Sequence, residues 1–253
     1  MTKVLIHGCN GRMGNMVSSP ASEYDGIQIV AGVDRPESDP GAKSYPIYGS
    51  LEEVKEEADV VIDISTAAAV DGLLGFIREK KMAAVICTTG LSDAQVEAIS
   101  EVSKEVPVLR SGTMSLGVNT LIKVLKDISK TLFEAGFDVD IVEKHHKHKL
   151  DAPSGTANML ADAVAEGCGA ELDIVYDRSG RRMERPHGEI GISAVRGGTI
   201  VGEHDVIFAG TDEIIEIKHT ALSRAVFANG ALKAALFLAE QKPGLYGMNN
   251  VVG

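Results

Sequence analysis

The chain is poor in cysteine, with only Cys9, Cys87 and Cys168 in 253 residues. They are odd in number, widely spaced and free of any CxxC pair, which excludes a disulfide framework and a cysteine-built zinc site and suits reduced thiols. Positive charge is also scarce: 25 lysines and arginines face 36 acidic residues, for a formal net charge of −11. Nucleic acid needs a basic surface, so this balance argues against such a partner, and any anionic ligand must be met by a local patch. Long apolar runs are missing too. No stretch approaches the ~18 residues of a membrane span, and the opening MTKVLIHGCN is too briefly apolar for a secretory signal. A cytoplasmic protein with no membrane partner is the expectation. What remains is ordinary, 44% hydrophobic and 24% charged with 27 glycines, which argues against disorder.

The first half alternates short apolar runs with helical spacing. KVLIHG (3–8), IQIVAGVD (27–34), DVVIDIS (59–65), MAAVICTTG (82–90) and VPVLRSG (106–112) read as buried strands. Helical segments stand between them, including one around LEEVKEE and one opening with a Ser92–Gln95 capping box. Near-continuous apolar strands separated by helices predict βαβ units and a parallel sheet, an α/β Rossmann-like domain. After residue 116 the pattern changes. A long amphipathic helix carries Val118, Leu121, Ile122, Leu125, Ile128 and Leu132 on one face, and the strand FDVDIVEKHH follows it. Residues 189–220 read as three alternating strands, predicting an antiparallel meander in a second, α+β domain with a mixed or antiparallel sheet. A final helix, SRAVFANGALKAALFLAEQ, is rich in small apolar residues and should be mostly buried.

Between the first strand and first helix lies GCNGRMG, with Gly8, Gly11 and Gly14 in GxxGxxG spacing. Glycine permits a tight turn and lets backbone approach a pyrophosphate, while the helix N-terminus offers free N–H groups and Arg12 adds a cation. Asp34 ends the second strand, where an acid can bind the adenosine ribose hydroxyls. An acid there repels a 2′-phosphate and the adjacent Arg35 attracts one, so both NADH and NADPH stay open.

The other local feature is EKHHKHKLDAPSGTAN (143–158), with three histidines and three lysines between Lys144 and Lys149. A solvated charged loop is the plain reading. As metal ligands the histidines lack an HExxH pattern, a cysteine partner and a carboxylate at ligand spacing, so no metal is expected. The third reading is a site for a small carboxylic acid. Ser154 is placed to cap a helix, leaving the N–H groups of Gly155 and Thr156 to grip a carboxylate. His145 can then deliver a proton and Lys149 stabilise developing negative charge.

This run resembles the signature of the dihydrodipicolinate reductase family, as do GCNGRMG, CTTG (87–90), SGTMSLGVN (111–119), VRGGTIVGEHDVIFAG and SRAVFANGA, so the likeness spans essentially the whole chain. The resemblance implies reduction of 4-hydroxy-tetrahydrodipicolinate with NADH or NADPH, in the route to diaminopimelate and lysine. It implies His145 as the group exchanging the proton, Lys149 as its catalytic partner, and His146, Gly155 and Thr156 as holders of a dicarboxylate. The dinucleotide would be lined by Gly8, Cys9, Asn10, Gly11, Arg12, Met13, Asp34, Arg35, Cys87, Thr88, Thr89, Ser111, Gly112, Thr113 and Met114. Cys87 stands where the family usually has glycine, and Met114 where it often has an aromatic. The implied layout is a dinucleotide-binding domain, residues 1–116 with 224–253, a substrate and assembly domain, 117–223, and a homotetramer.

Overall fold

The computed structural model describes residues 1–21, 24–35, 43–176 and 178–253. The chain divides into two compact units, Met1–Leu116 with Ala225–Gly253, and Gly117–Arg224. The first unit opens with β1 (Thr2–His7), α1 (Arg12–Ala21), β2 (Ile27–Val33), β3 (Ile47–Tyr48) and β4 (Val60–Asp63). It continues through α2 (Val70–Lys80), β5 (Ala83–Ile86), α3 (Asp93–Ser103) and β6 (Pro107–Arg110). The second unit holds α4 (Leu116–Glu134, which starts at the boundary), β7 (Asp138–His145), α5 (Gly155–Cys168), β8 (Asp173–Val175), β9 (Glu189–Arg196), β10 (Gly202–Ala209) and β11 (Ile214–Ala221). The chain then returns to the first unit with α6 (Ala225–Leu238), β12 (Gly244–Tyr246) and α7 (Met248–Val252).

The first unit's seven strands run in the order β12-β6-β5-β4-β1-β2-β3, and every pairing is parallel. The expected Rossmann-like sheet is present. Its strands are apolar on both faces because both faces are covered. One face packs Val4, Ile6 and Ile62 with α1 and α6, the other packs Leu5, Val61 and Ala84 with α2 and α3. In α6, Gly230 is required by packing: a Cβ there would fall 1.7 Å from the Met114 carbonyl oxygen. The predicted capping box is formed, with Gln95 N–H donating to Ser92 Oγ and Ser92 N–H to Gln95 Oε1.

The second unit is a mixed sheet in the order β11-β10-β7-β9-β8, covered on one face by α4 and α5. Its core centres on Phe208, Ile141 and Leu160, all fully buried, each contributing roughly 1.5–3 kcal/mol over exposure. The three strands of 189–220 exist, but not as the expected meander. β10 and β11 pair antiparallel, whereas β7 lies between β10 and β9, antiparallel to the first and parallel to the second. The LEEVKEE segment also departs from expectation, forming only a 3-10 turn at Leu51–Glu53 before extended backbone at Val54. Leu51 alone is buried there, too little apolar face to offset helix nucleation.

Candidate active site

In the first unit the sequence-predicted residues collect at the carboxyl ends of parallel strands, where α/β sheets bind ligands. Residues 8–13 follow β1, Asp34 and Arg35 follow β2, 87–89 follow β5 and 111–114 follow β6. Gly8 has φ +87, and a Cβ on it would lie 2.7 Å from the Ile64 carbonyl oxygen. A Cβ on Gly14 would fall 2.3 Å from the Gly8 oxygen, so the helix enters against the turn itself. At Gly11 nothing among the described residues comes closer than 3.5 Å; its bareness leaves backbone open to a ligand rather than relieving a clash. The first-turn amides of α1, at Arg12 and Met13, have no upstream carbonyl within the helix to bind. Asp34 braces the turn: its Oδ2 accepts the Asn10 N–H at 2.7 Å and its Oδ1 the Arg35 N–H at 2.8 Å.

A cleft of about 590 Å³ lies beside this turn, lined by Gly8, Asn10, Gly11, Asp34 and Arg35. It also includes residues the sequence reading missed, among them His7, Ser50, Glu52, Ser65 and Thr66. His7 Nδ1 lies 2.9 Å from Oδ1 of the fully buried Asp63. The predicted residues at 87–89 and 111–114 do not line this cleft. The Thr88 hydroxyl is buried with no hydrogen-bond partner among the described residues. The buried Cys9 thiol lies 3.5 Å from Asn10 Oδ1; burial, and then the charge of Asp34, push it up to about 11. Burial and the nearby Asp63 charge push the Cys87 thiol far up as well, so neither is a thiolate nucleophile. Met114 is buried in the core cluster. The bare turn, the open helix end and the acid at the rim fit a dinucleotide.

The second unit brings the basic run together around β7. His145 ends the strand on its buried face, and the chain turns back through a Lys149 N–H to His146 carbonyl bond. Ser154 caps α5 as predicted, its Oγ accepting the Ala157 N–H at 3.1 Å. The Gly155 and Thr156 amides lie in the first turn ahead of it, and Gly155 has open space where a Cβ would be. Lys149 Nζ lies 2.9 Å from Asp151 Oδ1, and this bond holds the Asp151 carboxyl below its ordinary range. Burial, with Arg224 and the neighbouring histidines, pushes the half-buried His146 down, so it is a neutral donor near pH 7.

Around His145 stand residues the sequence reading did not single out. Glu143, fully buried, lies 2.6 Å from His145 Nδ1 and accepts from the Ser154 N–H at 3.0 Å and from both Arg196 terminal nitrogens at 2.8 and 2.7 Å. Burial alone would raise the Glu143 carboxyl, but these donors outweigh it and hold it below its ordinary range. His204, across the ladder from Glu143, places Nε2 2.9 Å from Ser154 Oγ. Burial first, then the charge of His145, push it down to about 4. The sequence carried a signal for two of these. Glu143 is in phase with Val139 and Ile141, and His204 with Val206 and Phe208. A polar residue in the apolar phase of a strand must find a buried partner. Arg196 left no such trace. Among the described residues no group of histidine, cysteine and carboxylate side chains is arranged to hold a metal ion, and no helix is long and apolar enough to cross a membrane.

Comparison with known proteins identifies a family. Residues 2–114 match the model of the dihydrodipicolinate reductase N-terminus, and residues 117–252 that of its C-terminus. A 4-hydroxy-tetrahydrodipicolinate reductase from Caldanaerobacter subterraneus subsp. tengcongensis is 52% identical over 252 residues, covering 100% of this chain and 98% of that protein. One from Clostridium novyi is 47% identical over the same shares. Among solved structures, a dipicolinate-bound dihydrodipicolinate reductase from Paenisporosarcina sp. TG-14 superposes with a TM-score of 0.83 at 24% identity, covering 99% of each chain. Full-length identity of this order, two family matches and the shared fold together establish that the chain belongs to the dihydrodipicolinate reductase family.

Proposed function

We propose that the chain reduces 4-hydroxy-tetrahydrodipicolinate to tetrahydrodipicolinate with NADH or NADPH, in diaminopimelate and lysine biosynthesis. The observation that carries this is the basic loop 145–149 running into the capped N-terminus of α5, within a chain of this family. The named activity of the relatives and the dicarboxylate bound by the Paenisporosarcina protein support it. In the first unit, the backbone of residues 8–13, with Asp34 and Arg35, would hold the adenosine diphosphate half of the dinucleotide, and 87–89 with 111–114 the remainder. The dinucleotide supplies a hydride. The charge of Asp34 favours NADH at least as much as NADPH.

In the second unit the amides of Gly155 and Thr156, the Thr156 hydroxyl and His146 bind the substrate carboxylates. The hydroxylated substrate loses water to give a conjugated ring, the ring takes up the hydride, and one proton completes the reduction. Negative charge builds toward the ring nitrogen and neighbouring carbon. His145 supplies the proton and Lys149 the field, each contributing on the order of 2–5 kcal/mol to the transition state. Assembly through the sheet of this unit into a homotetramer belongs to the same reading. The protein is read as cytoplasmic, with no metal, nucleic acid or membrane partner.

The test is oxidation of NADH and of NADPH, followed by dihydronicotinamide absorbance, with substrate freshly made by the synthase that precedes this step. The expected result is oxidation that depends on the synthase product. No oxidation of either cofactor by folded protein would overturn the proposal.

A further inference from the structure

Glu143 has every acceptor position occupied. Oε1 receives the Ser154 N–H and one Arg196 nitrogen; Oε2 receives the other Arg196 nitrogen and His145 Nδ1. Three of these four donors, the Ser154 amide and the two guanidinium nitrogens, can only donate. A neutral carboxyl would have to place its proton on the Oε2–Nδ1 contact while accepting a guanidinium N–H on the same oxygen. The forked Arg196 grip selects the carboxylate instead, and a carboxylate accepts only. The proton on that 2.6 Å contact therefore belongs to His145 Nδ1. Arg196 is in turn anchored: one terminal nitrogen donates to the Val195 carbonyl at 2.8 Å and the other to the Asp151 carbonyl at 2.6 Å.

The opposite ring nitrogen is left with room. A Cβ on Gly202 would lie 3.1 Å from His145 Nε2, closer than a side chain normally sits, and glycine keeps that space clear. His204 crosses the His145 ring at 72°, centroids 5.2 Å apart, but its own Nε2 bonds Ser154 Oγ and its Nδ1 has no hydrogen-bond partner among the described residues, so neither nitrogen caps Nε2 of His145.

We infer that Glu143, gripped by Arg196, is a positioning residue that fixes His145 as its Nδ1–H tautomer and leaves Nε2 as the atom that passes the proton to substrate. The same carboxylate holds the Ser154 amide, so one buried charge sets the aim of the proton donor and the place where α5 begins to bind a substrate carboxylate. The inference rests on the reading of His145 as the proton donor. It adds which nitrogen acts and what selects it. To react, Nε2 first takes a proton from solvent to give the imidazolium; its Nε2–H bond then breaks as the substrate bond to hydrogen forms, and the ring returns to neutral with its remaining proton on Nδ1.

The test is nitrogen NMR on the full-length protein with labelled histidine, at a pH where the imidazoles are neutral. His145 is identified by the signals lost in His145→Gln. The expected result is a protonated Nδ1 and a bare Nε2; a protonated Nε2 in the unaltered protein would overturn the inference. Glu143→Gln presents an amide N–H to Nδ1 and should invert or mix the tautomers. It should lower kcat by roughly 10- to 100-fold with NADH affinity unchanged. Wild-type kcat in a folded Glu143→Gln protein would overturn it equally. Wild-type kcat in His145→Gln would instead refute the proton-donor reading, so the two failures are told apart.

Discussion

The Oδ2 of Asp34 accepts the backbone N–H of Asn10 at 2.7 Å, across 24 residues of sequence. The acid proposed to face the cofactor ribose is thus the brace of the glycine turn. Charge and shape at the dinucleotide end therefore depend on one side chain. Asp34→Asn keeps an acceptor for Asn10 and removes the charge. The ratio of kcat/KM for NADPH over NADH should rise by about tenfold, ~1.4 kcal/mol. An unchanged ratio would mean that Asp34 braces the turn but does not face the ribose.

Gly8, Gly11 and Gly14 are not equivalent. Side chains at 8 and 14 would strike backbone at 2.7 and 2.3 Å, whereas at 11 the nearest atom among the described residues is 3.5 Å away. Gly11→Val should therefore fold with a near-normal melting temperature while losing dinucleotide affinity by roughly tenfold or more. Fluorescence titration with NADH checks this, and retained affinity would place the pyrophosphate elsewhere.

His204 makes stability depend on acid. Its native pKa is lowered to about 4 from an ordinary 6.5, so below about pH 6.5 the unfolded chain binds a proton that the native chain does not. The stabilisation is complete above that pH and is lost as pH falls toward 4, on the order of 1–3 kcal/mol. Urea midpoints measured across this window should fall more steeply for the natural chain than for His204→Gln. Parallel slopes would show that His204 does not carry the effect.

Gly230 tests the packing of α6 in the first unit. With the Met114 carbonyl 1.7 Å from the Cβ position, Gly230→Ala must displace the helix or the 111–115 segment, despite alanine's better helix propensity. A loss of about 2–4 kcal/mol is expected, read from the denaturation midpoint. A gain in stability would contradict the packing described here.

Much of this was legible because it is local. The Ser92–Gln95 box, the Ser154 cap and the strand–glycine–helix turn are decided by residues within a few positions of one another. Pairing is not local. The alternation in 189–220 marks strands correctly, yet nothing in it says that β7, more than forty residues earlier, inserts between β9 and β10. That insertion sets Glu143 opposite His204 and His145 opposite Arg196, which is why the basic run was visible in sequence and its pairing with His204 and Arg196 was not. At the dinucleotide end the same holds for Ser50, Ser65 and Thr66, which reach the cleft from loops that carry no motif.

The central claim is that the run from His145 to Thr156 performs the reduction and is not a solvated loop. The most direct measurement is steady-state kinetics of His145→Gln and Lys149→Ala with the synthase-made substrate, alongside NADH binding. His145→Gln should lower kcat by roughly 100-fold or more while changing substrate KM little, because its interaction belongs to the transition state. Lys149→Ala should lower kcat and raise KM, since lysine both stabilises charge and attracts a carboxylate. Both should bind NADH normally. Near wild-type kcat in the two variants together would contradict the account.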